Sequence, residues 1–181
     1  MDLMEKKSLS IDRPDQIIDF ITGEPKADAG SEANRQLMER VLVEQKGYSR
    51  DDVEVDVEIV LDEDAGHYRS KLDLVVTVNG HRYMVIKCAP GSLDSREREV
   101  IAAARLLDAY QIPLAVATDG RTAIVWDSVT AQCLGKGMEA IPSKSRAIGR
   151  FDPSRVKKLD EKRRSRLQLI FKSYDSMNVN K

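Results

Sequence analysis

Residues 70–90 read SKLDLVVTVNGHRYMVIKCAP, and they contain the clearest structural signals of the chain. Two runs rich in apolar and β-branched residues flank Asn79-Gly80, which is the strongest short hairpin signal that a sequence offers. The pattern predicts two antiparallel strands, at 72–78 and 82–88. Asp73 lies on the first strand and Lys87 on the second, so the hairpin can bring a carboxylate and an ammonium together near one end of a sheet.

Further strands and helices are predicted on both sides of this hairpin. Valines and Ile59 alternate with acidic residues over 53–59, which is the period of two of a half-buried strand. A helix is expected over 31–46 with Ser31 as its N-cap, and another from Asp94 or Ser95 to about Ala109. Short strands at 114–118 and 122–126 follow, joined by a turn at Asp119-Gly120. This order predicts an α/β fold with a mixed β-sheet flanked by helices.

The two ends of the chain have different patterns. A short helix is expected over 13–21, with Pro14 in its first turn and Gly23 as its stop, before a linker over 23–30. A long C-terminal helix is expected from a cap at Asp152 to about Tyr174. The sequence therefore divides into an N-terminal helix and linker (1–30), a central domain (31–141) and a basic C-terminal helical extension (142–181).

Charge is unevenly distributed in a chain whose net charge is −1. Residues 51–64 hold eight acidic residues and no basic one, while residues 150–172 hold nine Lys or Arg against three Asp or Glu. The basic stretch can follow a phosphate backbone, or it can be only the solvated face of a helix. The sequence has no apolar run of membrane-spanning length and no apolar secretory core, so a cytoplasmic protein is expected. Cys88 alternates with apolar residues and is expected to be buried.

Several short motifs occur in an order that resembles a known family. They are Glu32-Ala33-Asn34-Arg35-Gln36, Gly47-Tyr48, Val57-Glu58-Ile59, Arg69-Ser70-Lys71-Leu72-Asp73, Ile86-Lys87-Cys88-Ala89-Pro90-Gly91 and Thr118-Asp119-Gly120 before Trp126-Asp127. Together they resemble the N-terminal domain of type I restriction enzyme R subunits, a domain of the PD-(D/E)xK nuclease superfamily. The resemblance implies a restriction-endonuclease-like core and phosphodiester hydrolysis with Mg²⁺.

The resemblance also implies a metal site. Asp73 matches the aspartate that binds magnesium, Lys87 the lysine that orients the attacking water, and Glu32 a helix glutamate that completes the site. Val85 occupies the position where the E-x-K element should have its acid. Glu58 on the neighbouring strand is a possible replacement as a metal ligand. A shifted alignment is also open, in which Lys87-Cys88-Ala89 stands where relatives have Glu-Cys-Lys.

Three functions are compatible with these residues. The first is a Mg²⁺-dependent DNA endonuclease. Arg35 and Gln36, which share the helix end with Glu32, and Lys71 are its candidate DNA contacts, although plain solvent exposure is also expected of Arg35 and Gln36. The second is a catalytically inactive DNA-binding or assembly module of the same fold, which Val85 favours. The third is an interaction protein whose basic C-terminal helix docks a partner. Expected partners are DNA, a second copy of the chain or a restriction-modification protein, and not a membrane.

Overall fold

A six-stranded mixed sheet forms the centre of the structure, a computed structural model that describes residues 16–63 and 66–179. The strands of the structure, including a separate N-terminal pair, are β1 (Gln16–Ile18), β2 (Pro25–Ala27), β3 (Val53–Glu63), β4 (Gly66–Val78), β5 (His81–Cys88), β6 (Leu114–Thr118), β7 (Ala123–Asp127) and β8 (Cys133–Lys136). The α-helices are α1 (Glu32–Arg40), α2 (Glu97–Leu106), α3 (Lys144–Arg150) and α4 (Glu161–Val179). The expected α/β class with a mixed sheet and flanking helices is confirmed.

The order of the strands across the sheet is β3-β4-β5-β6-β7-β8. Strands β5 and β6 are parallel and are connected through α2, while the other neighbours are antiparallel. The β4–β5 turn at Asn79-Gly80 has φ values of 52° and 76°, and positive φ at both central residues is what a tight hairpin turn requires. The predicted hairpin is therefore confirmed, and it lies in the middle of the sheet.

Both faces of the sheet are covered, so β5 carries two sets of apolar side chains. Met84, Ile86 and Cys88 pack in one cluster with residues of α1 and α3. Val85 packs in the other, with apolar residues of α2 and α4. Cys88 is 1% exposed, as expected for a small apolar residue. A strand segment buried on both faces reads as a continuous apolar run, which is the pattern of residues 83–86 in β5.

The N-terminal helix predicted over 13–21 is wrong where the structure describes it. Strands β1 and β2 form an antiparallel hairpin there, and residues 1–15 lie outside the described part of the chain. The hairpin turn is set by Asp19, whose Oδ1 accepts backbone hydrogen bonds from Ile21 and Thr22 at 3.0 and 2.7 Å. Such side-chain bonds to nearby backbone compete with a helix.

The C-terminal extension also differs from its prediction. The segment after Asp152 makes only a 3₁₀ turn over Pro153–Arg155, because Asp152 caps that turn through the Ser154 amide. The long helix begins eight residues after the turn begins, at Glu161, and packs on α2 through Leu167 and Phe171. Strand β8 and helix α3 were not predicted from the sequence. Within the described residues, the helices are too short or too polar to cross a bilayer.

Two glycines with similar backbone angles provide a test of how α1 packs on the sheet. Gly120, in the β6–β7 turn, has φ +85°, and a Cβ there would lie 3.0 Å from both Asn34 O and Leu37 Cβ of α1. Gly80 has φ +76°, with nothing within 4 Å of such a Cβ. We expect Gly80→Ala to lower the free energy of unfolding by about 1 kcal/mol, through its backbone conformation alone. Gly120→Ala should cost roughly 2–4 kcal/mol, because α1 must also move. Urea unfolding of the two variants measures the difference, and equal losses would contradict this packing.

Candidate functional site

Asp73 and Lys87 meet across the central hairpin, as the sequence predicted. Leu74 pairs with Ile86, so the next positions along the two strands, Asp73 and Lys87, lie opposite each other. The Lys87 Nζ lies 3.8 Å from Asp73 Oδ2. The same oxygen accepts a hydrogen bond from the backbone amide of Cys88 at 2.7 Å. The aspartate is thus held by one charge and one backbone donor of the neighbouring strand.

A third residue of this site, Glu99, was missed by the sequence analysis. It lies on α2, is 2% exposed and places Oε1 3.5 Å from Lys87 Nζ. Its Oε2 lies 3.6 Å from Nη1 of Arg96, which ends the 3₁₀ turn before α2. Lys87 therefore lies between two carboxylates from two different elements. A signal was present in the sequence, because Glu99 is four and seven residues before Ala103 and Leu106 and so shares their buried helix face.

Burial and charge act in opposite directions on this group. Burial raises the pKa of Asp73, against the attraction of Lys87 and the Cys88 amide, which lower it. Burial alone would lower the pKa of Lys87, but the carboxylates of Asp73 and Glu99 outweigh it and the net shift is upward. The ammonium is therefore held in its charged form, and it compensates the two acids beside it.

An open pocket of about 230 Å³ lies next to this group. Its cationic lining residues are Lys87 and Arg96, and the rest of the lining includes Gly30 and Ser31 just before α1. Ser31 makes no side-chain capping hydrogen bond to the helix. The first backbone N–H groups of a helix carry partial positive charge, so the pocket combines two cationic side chains with a helix end that favours anions.

Glu32, the predicted helix carboxylate, belongs to a second group of charges centred on Arg35. Glu32 accepts hydrogen bonds from Arg35 Nη2 at 2.8 Å and from Gln36 Nε2 at 2.8 Å. Asp19, Glu39 and Asp56 also lie close to the same guanidinium, at 2.9, 3.6 and 3.7 Å. We call Asp19, Glu32, Arg35, Glu39 and Asp56 the Arg35 cluster. It is formed by the N-terminal hairpin, α1 and β3.

The Arg35 cluster adjoins the Asp73 group at a break in β3. Val55 pairs with Leu74 and Val57 with Leu72, so Asp56 stands opposite Asp73. Asp56 has φ +53°, in the left-handed region, and its Oδ2 lies 2.7 Å from Lys26 Nζ. The charge of Arg35 acts on both aspartates and lowers the pKa of each, though burial keeps that of Asp73 raised overall.

The other predicted site residues occupy different surroundings. Arg35 and Gln36 are 3% and 6% exposed, so the alternative expectation of solvent exposure is wrong; carboxylates and the Phe20 amide take up their polar groups. Glu58 is exposed and pairs with Arg69 at 3.0 Å, away from the Asp73 group. Lys71 is exposed on β4, opposite Glu58. The structure thus brings together Asp73 and Lys87 of the predicted set and adds Glu99.

The position of Val85 distinguishes between the two possible alignments of the E-x-K element. Its side chain is fully buried in the cluster beneath α2, opposite Val75. Successive residues on one face of a strand are roughly 6.6 Å apart, so an acid at position 85 would lie deep in the core rather than opposite Asp73. The position opposite Asp73 belongs to Lys87. The strand register therefore favours the shifted alignment, in which a lysine stands where a second carboxylate would be needed.

These residues do not fit a magnesium ion in this arrangement. Mg²⁺ needs oxygen ligands in near-octahedral geometry, usually from one or two carboxylates that face the ion. Asp73 and Glu99 instead flank the Lys87 ammonium. Within residues 16–63 and 66–179, no three His, Cys, Asp or Glu side chains are grouped so that they could hold a metal.

Comparison with known proteins places this site in a family. The family model described as type I restriction enzyme R protein N terminus matches residues 30–142. The chain belongs to this family. The matched region of this R-protein N-terminal domain contains Asp73, Lys87 and Glu99, as well as the whole six-stranded sheet. Searches of curated proteins and of solved structures gave no significant match.

The Arg35 cluster makes the stability of this domain depend on pH. Glu39 is fully buried, and burial, with the nearby Asp19 carboxylate, raises its pKa from 4.5 to about 7. The folded protein then binds this proton more tightly than the unfolded chain does, so stability falls as the pH rises through this window. In the wild type, we expect this group to lower the free energy of unfolding by about 3 kcal/mol between pH 5 and pH 8. The Glu39→Gln variant should not show this decrease.

Urea unfolding at several pH values measures this difference. Glu44→Gln is the matched control, because Glu44 is an exposed carboxylate in the helical segment that continues α1. Its profile should run parallel to that of the wild type. A Glu39→Gln profile that also runs parallel to the wild type would contradict the assignment of a proton to Glu39.

Substitution at position 87 tests whether lysine excludes a metal from the site. Lys87→Glu would place a carboxylate opposite Asp73 and beside Glu99, and we expect Mn²⁺ to raise the melting temperature of this variant but not of the wild type. Val85→Glu is the matched control. It puts the same side chain in the core, where an unpaired charge should cost roughly 3–5 kcal/mol without a response to Mn²⁺. Thermal melts with Mn²⁺ and with EDTA measure these responses. A folded Val85→Glu protein whose melting temperature rises with Mn²⁺ would contradict the assigned strand register.

Proposed function

We propose that this chain is a DNA-binding module of the R-protein N-terminal family that does not hydrolyse DNA. The observation that carries this proposal is the position of the Lys87 ammonium between Asp73 and Glu99, at 3.8 and 3.5 Å. The family supports DNA and restriction-modification proteins as partners. The geometry supports binding at this site more than cleavage.

Hydrolysis of a phosphodiester by this kind of site needs a hard cation that polarises the phosphate and activates water. The carboxylates that would have to hold it are already compensated by Lys87 and, for Glu99, by Arg96. A lysine in contact with two acids neutralises them without leaving the open coordination positions that a metal offers. The same residues can therefore keep the fold together without supporting metal-dependent chemistry.

Binding of DNA phosphate is favoured by the pocket next to Lys87. Lys87, Arg96 and the beginning of α1 provide hydrogen-bond donors for a phosphate group, although Asp73 and Glu99 balance the charges of the two side chains. Lys71, exposed on β4, offers a further contact to the backbone of the nucleic acid. Contacts of this kind position DNA without reading its sequence. We assign Arg35 and Gln36 to the buried Arg35 cluster rather than to the DNA surface, because of their low exposure.

The competing function is Mg²⁺-dependent cleavage by Asp73, Lys87 and Glu32, with Glu58 as a further metal ligand. It would require Glu32 to leave Arg35 and Gln36, to which it is hydrogen-bonded at 2.8 Å. Glu58, on the exposed part of β3, would have to leave Arg69 of β4. Breaking the buried contacts of Glu32 would leave Arg35 with one carboxylate fewer, which is costly in a buried group.

Two assays on the same preparation test the proposal. We expect a short labelled duplex to bind the protein, with an affinity that falls steeply as salt rises. Supercoiled plasmid incubated with Mg²⁺ or Mn²⁺ should remain uncut. Nicking that disappears in Asp73→Ala would establish the competing function, whereas nicking that persists in this variant would come from a contaminant or from another site. Absence of duplex binding at low salt would refute the proposed function.

A further inference from the structure

A second cationic surface lies between α2 and α4, and the proposed function above does not use it. Two openings of about 380 and 340 Å³ adjoin each other there and share Arg105, Arg166, Leu167 and Ile170 in their linings. Arg163 lines the first opening and Arg98 the second. We call this continuous depression the α2–α4 groove. Its floor is apolar, and its rim is rich in arginine.

The arginines of the groove differ from most others in the described structure. Arg35, Arg82 and Arg69 each form ion pairs with carboxylates. Over the described ranges 16–63 and 66–179, the four groove arginines at positions 98, 105, 163 and 166 form no ion pair. Glu97 is the acidic residue in the lining. The groove therefore carries an excess of positive charge, since four arginines face Glu97 in the lining and the nearby Asp127.

Arg105 is fixed in the wall of the groove by the β7–β8 turn. Its Nε donates to the carbonyl of Ser128, and its Nη2 donates to the carbonyl of Val129 at 3.1 Å. Two main-chain acceptors hold the planar guanidinium without neutralising its charge. Burial lowers the pKa of Arg105, and the charge of Arg163 lowers it further against the opposing charge of Asp127, so the two arginines are close enough to repel each other. An anion between them would relieve this repulsion.

Helix α4 presents Arg163 and Arg166 on a rigid support. Leu167 and Phe171 are buried against α2, and the Tyr68 hydroxyl donates a hydrogen bond of 2.5 Å to the buried Asp175 near the end of the helix. Arg163 and Arg166 are three residues apart, so they point in similar directions from neighbouring turns of the helix. The groove arginines are thus held in place on two packed helices rather than on a free tail.

We infer that the α2–α4 groove binds the phosphate backbone of duplex DNA, an inference that rests on the proposed function and adds a second contact surface to it. Guanidinium groups bind phosphate oxygens in a bidentate manner, and a row of them matches the repeated charges of a nucleic-acid strand. The groove lies along α2, and the turn that begins this helix supplies Arg96 to the pocket beside Lys87. The two surfaces are therefore joined by α2, and a duplex long enough to follow this helix would contact both.

Neutralisation of the groove tests this inference against a control of equal charge. The variant is Arg163→Gln with Arg166→Gln, and the control is Lys158→Gln with Lys162→Gln. Both pairs are exposed residues of the basic C-terminal extension, but Lys158 and Lys162 do not line the groove. Fluorescence anisotropy with a short labelled duplex over a salt series gives the affinity and its salt dependence. Circular dichroism melts establish that both proteins are folded, and Arg166→Gln alone replaces the double variant if it is not.

The groove variant should bind duplex roughly 10- to 100-fold more weakly than the wild type at about 0.1 M salt, with a slope of log K against log salt smaller by about 2. The control should stay within about threefold of the wild type. Equal losses in the two variants would overturn the inference, since net charge alone would explain them. An unchanged groove variant would overturn it as well, while leaving the proposed function intact. Absence of duplex binding by the wild type would refute both, and groove-dependent binding of polyglutamate but not of DNA would assign the groove to an acidic protein.

Discussion

The ion pairs of Lys87 hold together the elements on which the candidate site depends. The lysine on β5 contacts Asp73 on β4 and Glu99 on α2, so a single ammonium links the central hairpin to the helix that crosses over it. Buried charges are costly unless they are paired, and removal of one partner leaves the others uncompensated. The position of α2, and with it the packing of α4 and the α2–α4 groove, is thereby coupled to the polar residues at the centre of the sheet.

Arg35 plays a comparable part on the other side of Asp73. Carboxylates from the N-terminal hairpin, α1 and β3 converge on this one guanidinium, whose planar shape and five donors suit several acceptors at once. Two internal cations, Arg35 and Lys87, therefore act on Asp73 from different directions. This arrangement explains how acidic residues can be grouped near the site while the geometry favours ion pairs over metal coordination.

The sequence predicted those parts of the structure whose signals are local. Asn79-Gly80 fixed the hairpin, and alternation identified β3, because turn chemistry and the period of two are properties of short segments. The N-terminal hairpin was mistaken for a helix, since its conformation depends on contacts of Asp19 and Phe20 with α1, which lies later in the chain. Long-range pairs of this kind leave little trace in a local pattern.

The sequence also predicted only part of the candidate site. Asp73 and Lys87 could be paired because one hairpin carries both, whereas Glu99 joins them only after the crossover brings α2 back over the sheet. Arg35 was expected at the surface because arginine usually is, and only the convergence of acids from three elements buries it. Residue type therefore predicted the charges but not their partners.

The acidic residues of β3 also affect how the edge of the sheet can interact with other chains. Strand β3 is the first in the strand order and has eleven residues, so an outer row of backbone donors and acceptors is open to pairing with another chain. Alternating carboxylates line this strand, and the left-handed residue Asp56 interrupts its regular course. Although Lys26, Arg69 and Arg82 pair with carboxylates of β3, the charged side chains and the locally irregular backbone hinder two copies of the domain from joining along this edge, which reduces the tendency to aggregate through β3.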